Sequence, residues 1–460
     1  MGEYMGQSTD KKALSLFSLV CMAIGLTIGG GIFVLTSVLS KKLGTTLPYF
    51  YLLASFPMFF IIFPVAVLGR YFPTNGGIYF YPSRLVSPRF AFLITWIFLS
   101  TASFGQVPLF TLACSDILFQ IFPFVSKDLW AFLILTVFFL LNVLGLKPVL
   151  FVQNLLVSIL IFLLGYSIFR LTDLQTASLI SINSFPSFGI GLETISILCF
   201  TYFGSNAIIE LGNETGKPKH LLKAFLWAFP IVVFIYFSFS FAISTLGTGN
   251  LGSGNSEYLF SLIQNRLTPT EYKVFLLGGP LLAVVTSLNG IFLIQTKSFI
   301  GLIEDGWFPY LRKGSESPSY IKIFTIIYIL SGLGLYLQWN LETLATYSTV
   351  GWFFVILAQL FSLYPAKQIL KENSYFPKLF FKTEFAVITV LGFGFAFLLT
   401  GILLYRLYED EKLLGFIVVM GLGILYCYLI SKFGKQKLIE KQNRKQEILN
   451  LYLKSEDIYE

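Results

Sequence analysis

Ile24-Gly25-Leu26-Thr27-Ile28-Gly29-Gly30-Gly31-Ile32-Phe33 lies in the middle of the first long apolar run of the chain. Three consecutive glycines inside a helix cost about 1 kcal/mol each relative to alanine, so the helix is expected to unwind there. Unwound backbone at mid-membrane depth is tolerable only where protein buries it or it lines a cavity. Its free N–H groups, at the N-terminus of the outer half-helix, then make an anion site whose natural ligand is a carboxylate.

That this stretch lies in a membrane follows from the rest of the chain. Of 460 residues, 55% are hydrophobic, 18% aromatic and only 12% charged, and the mean hydropathy is +0.76. Soluble domains carry about 25% charged residues, and disordered chains are poor in apolar ones. Crossing roughly 30 Å of hydrocarbon takes about 20 helical residues. Apolar runs of suitable length fall at 14–40, 46–70, 89–122, 128–146, 148–170, 190–212, 222–247, 272–303, 319–339, 341–364, 380–406 and 413–433. These predict twelve transmembrane helices, numbered 1 to 12 below, and leave no room for a separate catalytic domain. The runs lack the ten-residue alternation of a membrane β-barrel, and a helix satisfies its own backbone in lipid.

The chain has 32 Lys and Arg against 24 Asp and Glu, a balance of +8. In a membrane protein such an excess sorts by side rather than pointing to nucleic acid. With both termini on one side, that side holds 24 of the 32 basic residues and the other side 8. Both ends are therefore expected in the cytoplasm of a multi-pass cell (inner) membrane protein. Residues 1–13 form a polar cytoplasmic segment with no removable signal expected. Residues 434–460 form a basic cytoplasmic tail, expected to be solvated. Cys21, Cys114, Cys199 and Cys427 sit in apolar runs and form neither a disulfide framework nor a zinc motif.

Helix 6 carries Phe200-Thr201-Tyr202-Phe203-Gly204-Ser205-Asn206 and runs on to Glu210, Gly212, Asn213 and Glu214. A lone glycine in a membrane helix is usually a packing device. Its place gives it weight, because helix 6 is the counterpart of helix 1 if the first ten helices are two five-helix repeats of inverted topology. Interrupted helices at matching positions of two halves point to a transporter's substrate site.

With these residues in view, the chain resembles the amino acid, polyamine and organocation transporters, which share the five-plus-five inverted-repeat fold with broken helices 1 and 6. The resemblance rests on Ile28 to Phe33, on Phe72-Pro73-Thr74-Asn75-Gly76-Gly77-Ile78-Tyr79-Phe80-Tyr81, and on Asn142 to Gly145 with Lys147. It also rests on Tyr202-Phe203-Gly204 through Glu214, Lys217 and Pro218, and on Asp305-Gly306 with Pro309. It implies a core over 14–364 and peripheral helices 11 and 12 over 365–433. It further implies an amino acid held by Thr27, Ile28, Gly29, Gly30 and Gly31 on helix 1 and by Phe200, Tyr202, Phe203, Gly204, Ser205 and Asn206 on helix 6, with Ile291 on helix 8. The substrate's carboxylate would meet N–H groups near Gly29 to Gly31, and its ammonium would meet carbonyls of the unwound segments. Fixed dipoles can thus hold a zwitterion without any charged side chain. Since these contacts include no acid, a neutral, apolar amino acid is favoured.

Two proton handles common in the family are absent: a mid-helix lysine of helix 5 is replaced by Leu160, and an acid after the helix 6 glycine by Asn206. In sodium-coupled relatives of the fold, the ion lies between helix 1 carbonyls and a Thr-Ser pair on helix 8. The matching residues are Gly25 and Ile28 with Ala283, Thr286 and Ser287, oxygen ligands suited to a hard cation. Sodium is favoured over a proton as coupling ion, with uncoupled exchange a third option; hydroxyls in membrane helices otherwise bond neighbouring backbone. Lys297 is expected to be a snorkelling anchor rather than a gate pair with Glu210 or Glu214. Gln106 and Asp116 are candidates for the pathway, and Trp96, Trp307 and Trp339 read as interface markers.

The sequence is therefore expected to encode an all-α integral membrane transporter with no enzymatic activity, cofactor or obligate protein partner. Its partners are an amino acid and the lipid bilayer. The rivals are a cationic amino acid or polyamine exchanger and, from another class, a sensor that binds amino acids without moving them. A membrane-embedded enzyme would need His, Asp and Cys constellations that a single histidine cannot supply.

Overall fold

The computed structural model describes residues 14–144, 150–172, 185–246, 256–313, 317–433 and 441–456. Residues 1–13, Gly145, Lys147 and the first part of the tail lie outside the described residues. Among the described residues the chain is helical, with one antiparallel pair of two-residue strands, Arg312–Lys313 with Ser317–Pro318. Nine helices among the described residues are long and apolar enough to cross a membrane. Lys127–Leu144, Leu150–Leu171 and Tyr320–Tyr336 occupy the remaining three expected positions, helices 4, 5 and 9.

The fold is the five-plus-five inverted repeat, and packing shows the relation between its halves. Helix 1 packs on helix 6, helix 2 on helix 7, helix 3 on helix 8 and helix 4 on helix 9, each against its counterpart five further on. Helices 3 and 8 also share a defect. Helix 3 runs Pro88–Thr101, passes through a π turn at Ala102–Gln106 and continues as Val107–Ile121. Helix 8 runs Pro269–Leu276, turns through Leu277–Leu281 in the same way and continues to Glu304. Pro108 and Pro280 accompany the two turns. A proline lacks the N–H for the i−4 bond, and a wider turn accommodates the loss.

Helix 1 is two helices, Leu16–Thr27 and Gly30–Leu43. The break is shorter than the triple glycine suggests: only Ile28 and Gly29 leave the helix, and Gly30 already begins the second half. Helix 6 differs from expectation. It is α-helical over Phe188–Leu198 and then a 3₁₀ helix over Cys199–Glu214, so its irregularity is a change of helix type rather than a gap at Gly204. Runs of 3₁₀ longer than three or four residues are uncommon, and sixteen here mark a segment whose shape is set by its neighbours.

On the face with most of the basic residues, the short helix Gly77–Leu85 lies between helices 2 and 3, entered through Gly76 at φ +75°. Its Arg84 grips Asp305 with two bonds of 2.5 and 2.9 Å and reaches Glu447 at 2.5 Å. Tyr79 donates to the same Asp305 and accepts from Trp307 Nε1. Burial and the neighbouring Asp305 push the Tyr79 phenol well up. Trp307 is therefore a fully buried tie, not an interface marker. The tail also departs from expectation: Lys441–Glu456 is a helix that buries Ile448 and Tyr452. Tyr452 packs against Phe72 and Tyr375. Asp116 meets Lys127 at 3.0 Å.

Candidate substrate and ion site

A cavity of about 30 Å³ lies at the helix 1 break. It has room for about two waters and is too small for a whole amino acid, so its walls must part to admit one. Thr27, Gly29 and Gly31 face it from helix 1, Phe200, Phe203 and Gly204 from helix 6, and Ile291 from helix 8. Gly29 caps the outer half-helix in extended conformation with no side-chain cap, leaving the first N–H groups of that half without a side-chain acceptor.

The other expected contacts are placed elsewhere. Ile28 is fully buried, and Gly30 abuts Val284 and Phe110. The Tyr202 hydroxyl turns away to donate to Tyr51 O at 2.8 Å. Ser205 Oγ pairs with Thr27 Oγ1 at 3.0 Å, pinning helix 6 to helix 1. Asn206 Nδ2 reaches Gln359 Oε1 at 3.4 Å, and both residues are buried.

Gln106, a candidate from the sequence, lines the wall, and the further wall residues carry no sequence signal. Gln106 and Phe110 enter from helix 3, Gly290 and Ile294 from helix 8, and Trp352 from helix 10. Trp352 stacks on Phe203, with ring centroids 5.7 Å apart and planes at 12°, and donates to Gln106 Oε1 at 2.9 Å. This fixes the aromatic wall and uses the amide's acceptor. No charged side chain lines the cavity.

Tyr236 of helix 7 supplies what the irregular backbone lacks. Its hydroxyl lies 2.5 Å from Thr27 O and 2.8 Å from Thr201 O, one carbonyl from each interrupted helix. Thr27 O also accepts from Gly29 N at 2.8 Å, so the hydroxyl adds a second bond there and ties the two helices together. Gly204 shows how close the two helices come, since a Cβ there would collide with the Leu26 carbonyl and the Thr27 Cα.

Of the residues of the expected ion site, Ser287 and the Ala283 carbonyl lie against Gly29 at the same break. Ser287 Oγ presses against Gly29, is buried and has no hydrogen-bond partner. Thr286 Oγ1 is occupied with Ala283 O at 2.9 Å. An orphaned buried hydroxyl is an oxygen of the kind that a hard cation takes. Among the described residues, no group of three or more His, Cys, Asp or Glu could hold a metal ion.

Lys297 is not a snorkelling anchor. It is buried, and its Nζ donates to Glu210 O at 2.8 Å and lies 3.2 Å from Glu214 Oε1.

Comparison with known proteins places this architecture. Among solved structures, the chain is similar to a manganese transporter from Eremococcus coleocola, with a TM-score of 0.59 over 96% of this chain and 97% of that one at 14% identity. That likeness establishes the fold. Among curated proteins, it is 23% identical over 331 residues to the sexual differentiation process putative amino-acid permease isp5 of Schizosaccharomyces pombe, covering 66% of this chain and 56% of that protein. It is 23% identical over 331 residues to the branched-chain amino acid permease BcaP of Bacillus subtilis, covering 66% of this chain and 70% of that one. The chain thus spans little more than half the length of isp5. The sequence model of the amino acid permease family matches residues 14–427, from the first helix into the twelfth. Helices 1 to 11, the cavity between helices 1 and 6, and most of helix 12 fall within that match, and the chain belongs to the amino acid permease family.

Proposed function

We propose that the protein is a secondary transporter that moves a neutral, apolar amino acid across the cell membrane by alternating access, with sodium as the coupling ion. The observation that carries this is the uncharged cavity set at the N-terminus of a half-helix. A zwitterion's carboxylate gains there from dipoles that a cationic side chain could not use. The aromatic wall of Phe110, Phe200, Phe203 and Trp352 suits an apolar side chain. The name of one relative, a branched-chain permease, points the same way. A polyamine or cationic amino acid would require an acid in the wall, and none is present.

The test is uptake by purified protein in proteoliposomes, competed with a panel of amino acids and repeated with sodium replaced by choline. Neutral apolar amino acids should compete, while their amides and the cationic amino acids should not. Uptake should rise with sodium. In the Thr286→Ala/Ser287→Ala variant, two ligands are removed from a cation that takes about six, so affinity should become independent of sodium. Equal transport in choline by the parent would end the sodium assignment.

Both termini are proposed to face the cytoplasm, from the bias of basic residues. A cysteine at Ser253 should react with an impermeant reagent in intact cells, and one at Lys454 should stay protected. Lys454 is the better probe in the tail because Ser455 is buried against Tyr71 O. Reversed labelling would invert the topology.

A further inference from the structure

Below the cavity, toward the basic face, helix 6 ends on the short helix Gly77–Leu85. Neutral bonds join them: Gly212 N donates to Thr74 O at 3.1 Å, and Asn213 N to Asn75 Oδ1 at 3.2 Å. Leu14 N also donates to Glu214 O at 2.9 Å, drawing in the start of helix 1. One contact is of another kind. Glu210 is only 3% exposed, and its Oε1 accepts from Ile78 N at 3.1 Å. Its Oε2 is buried and has no hydrogen-bond partner among the described residues. Gly76, at the N-cap, has no side chain to cap this helix, so a carboxylate from helix 6 does so instead. Anions are favoured at that end of a helix.

An ionisable side chain buried within a membrane-spanning bundle is a functional site by default. We propose that Glu210 is a proton-binding site that controls the gate on the basic face. Ionised, it holds the inner end of helix 6 to the start of Gly77–Leu85 and faces the Lys297 ammonium. A proton taken from water on that face forms an O–H bond at Oε2, cancels the charge and finds no acceptor. The cap and the attraction to Lys297 weaken together, and the gate opens more readily. The position is distinct from Leu160 and Asn206, where family proton handles are absent.

The groups around Glu210 are few. Lys297 comes from helix 8, and Glu214 is the next acid along helix 6, paired with Lys297 and partly exposed. Tyr81, on the capped helix, donates to Phe72 O. Burial and the adjacent Glu210 push its phenol well up, so it stays neutral across the range concerned. Glu214 therefore serves as the control carboxylate at this gate.

The test is a distance measurement across the gate. Nitroxide labels go on cysteines at the exposed positions Arg89 and Lys217, in full-length protein in lipid vesicles with Cys21, Cys114, Cys199 and Cys427 replaced by alanine. Between about pH 8 and about pH 5, the open, longer-distance population should grow on the order of tenfold. Glu210→Gln should show that population at both pH values, and Glu214→Gln should keep the pH response. A parent distribution that ignores pH, or a Glu210→Gln variant that still responds, would overturn the proposal. Should Glu210→Gln fail to fold, the parent's own response decides. The proposal rests on the alternating-access reading only for its effect on flux. A pH-dependent distance without amino acid uptake would sink the transport reading alone, and pH-independent distances with normal uptake would sink the gate alone.

Discussion

Gly204→Val is expected to abolish amino acid binding, with a loss beyond about 100-fold in affinity. Its Cβ would fall on the Leu26 carbonyl and the Thr27 Cα. These are backbone atoms at the break, so no rotamer change relieves the clash. Inserting side-chain atoms into packed space costs about 1–3 kcal/mol even where side chains can yield; here helix 6 must back away from helix 1 and open the cavity wall. Two other glycines grade the effect. A Cβ at Gly30 would meet Val284 Cγ2 at 2.8 Å and Phe110 Cδ1 at 3.1 Å, side-chain atoms with some freedom. Gly30→Leu exceeds that freedom and should also lose binding while remaining folded in the membrane. A Cβ at Gly31 meets Phe200 and Thr201 at 3.4 Å, an ordinary contact, so Gly31→Ala should stay within about threefold of the parent. Equilibrium binding of a radiolabelled amino acid, with size-exclusion profiles to confirm folding, checks the order. Normal affinity in Gly30→Leu would reduce the triple glycine to a packing device.

Tyr236→Phe should lower affinity by about 10-fold, the upper end of the roughly 0.5–1.5 kcal/mol that a buried hydrogen bond contributes, because Thr27 O keeps the Gly29 N–H at 2.8 Å. The ring keeps its packing, with Tyr51 at 5.5 Å and Tyr202 at 5.2 Å between centroids, so the loss belongs to the hydroxyl. Without it, Thr27 O and Thr201 O lose their shared donor, and the two interrupted helices lose the bond that holds their carbonyls in register. The melting temperature should fall alongside the affinity. Tighter binding in this variant would carry the opposite lesson: the two carbonyls, once freed, would serve the substrate ammonium, as the resemblance to the family implies.

The chain alone determined the twelve helices, their order and the break in helix 1. These are local properties. Length and apolarity decide what crosses hydrocarbon, and a run of glycines weakens a helix wherever it lies. The family was legible for the same reason, because its motifs follow one another along the chain. Only the tertiary structure decided which side chains complete the site. Tyr236 and Trp352 are single aromatic residues within apolar helices, and nothing beside them in the sequence says which neighbour they face. The 3₁₀ form of helix 6 was hidden too, since its residues leave the α-helix to fit Gly204 against Leu26. Charge followed the same rule: the sequence reads Lys297 as a snorkelling anchor, but its Nζ donates to Glu210 O, and Glu210 itself caps the start of Gly77–Leu85. A side chain's partner is fixed by the packing of segments far apart in the chain, and spacing along one helix carries no record of the other.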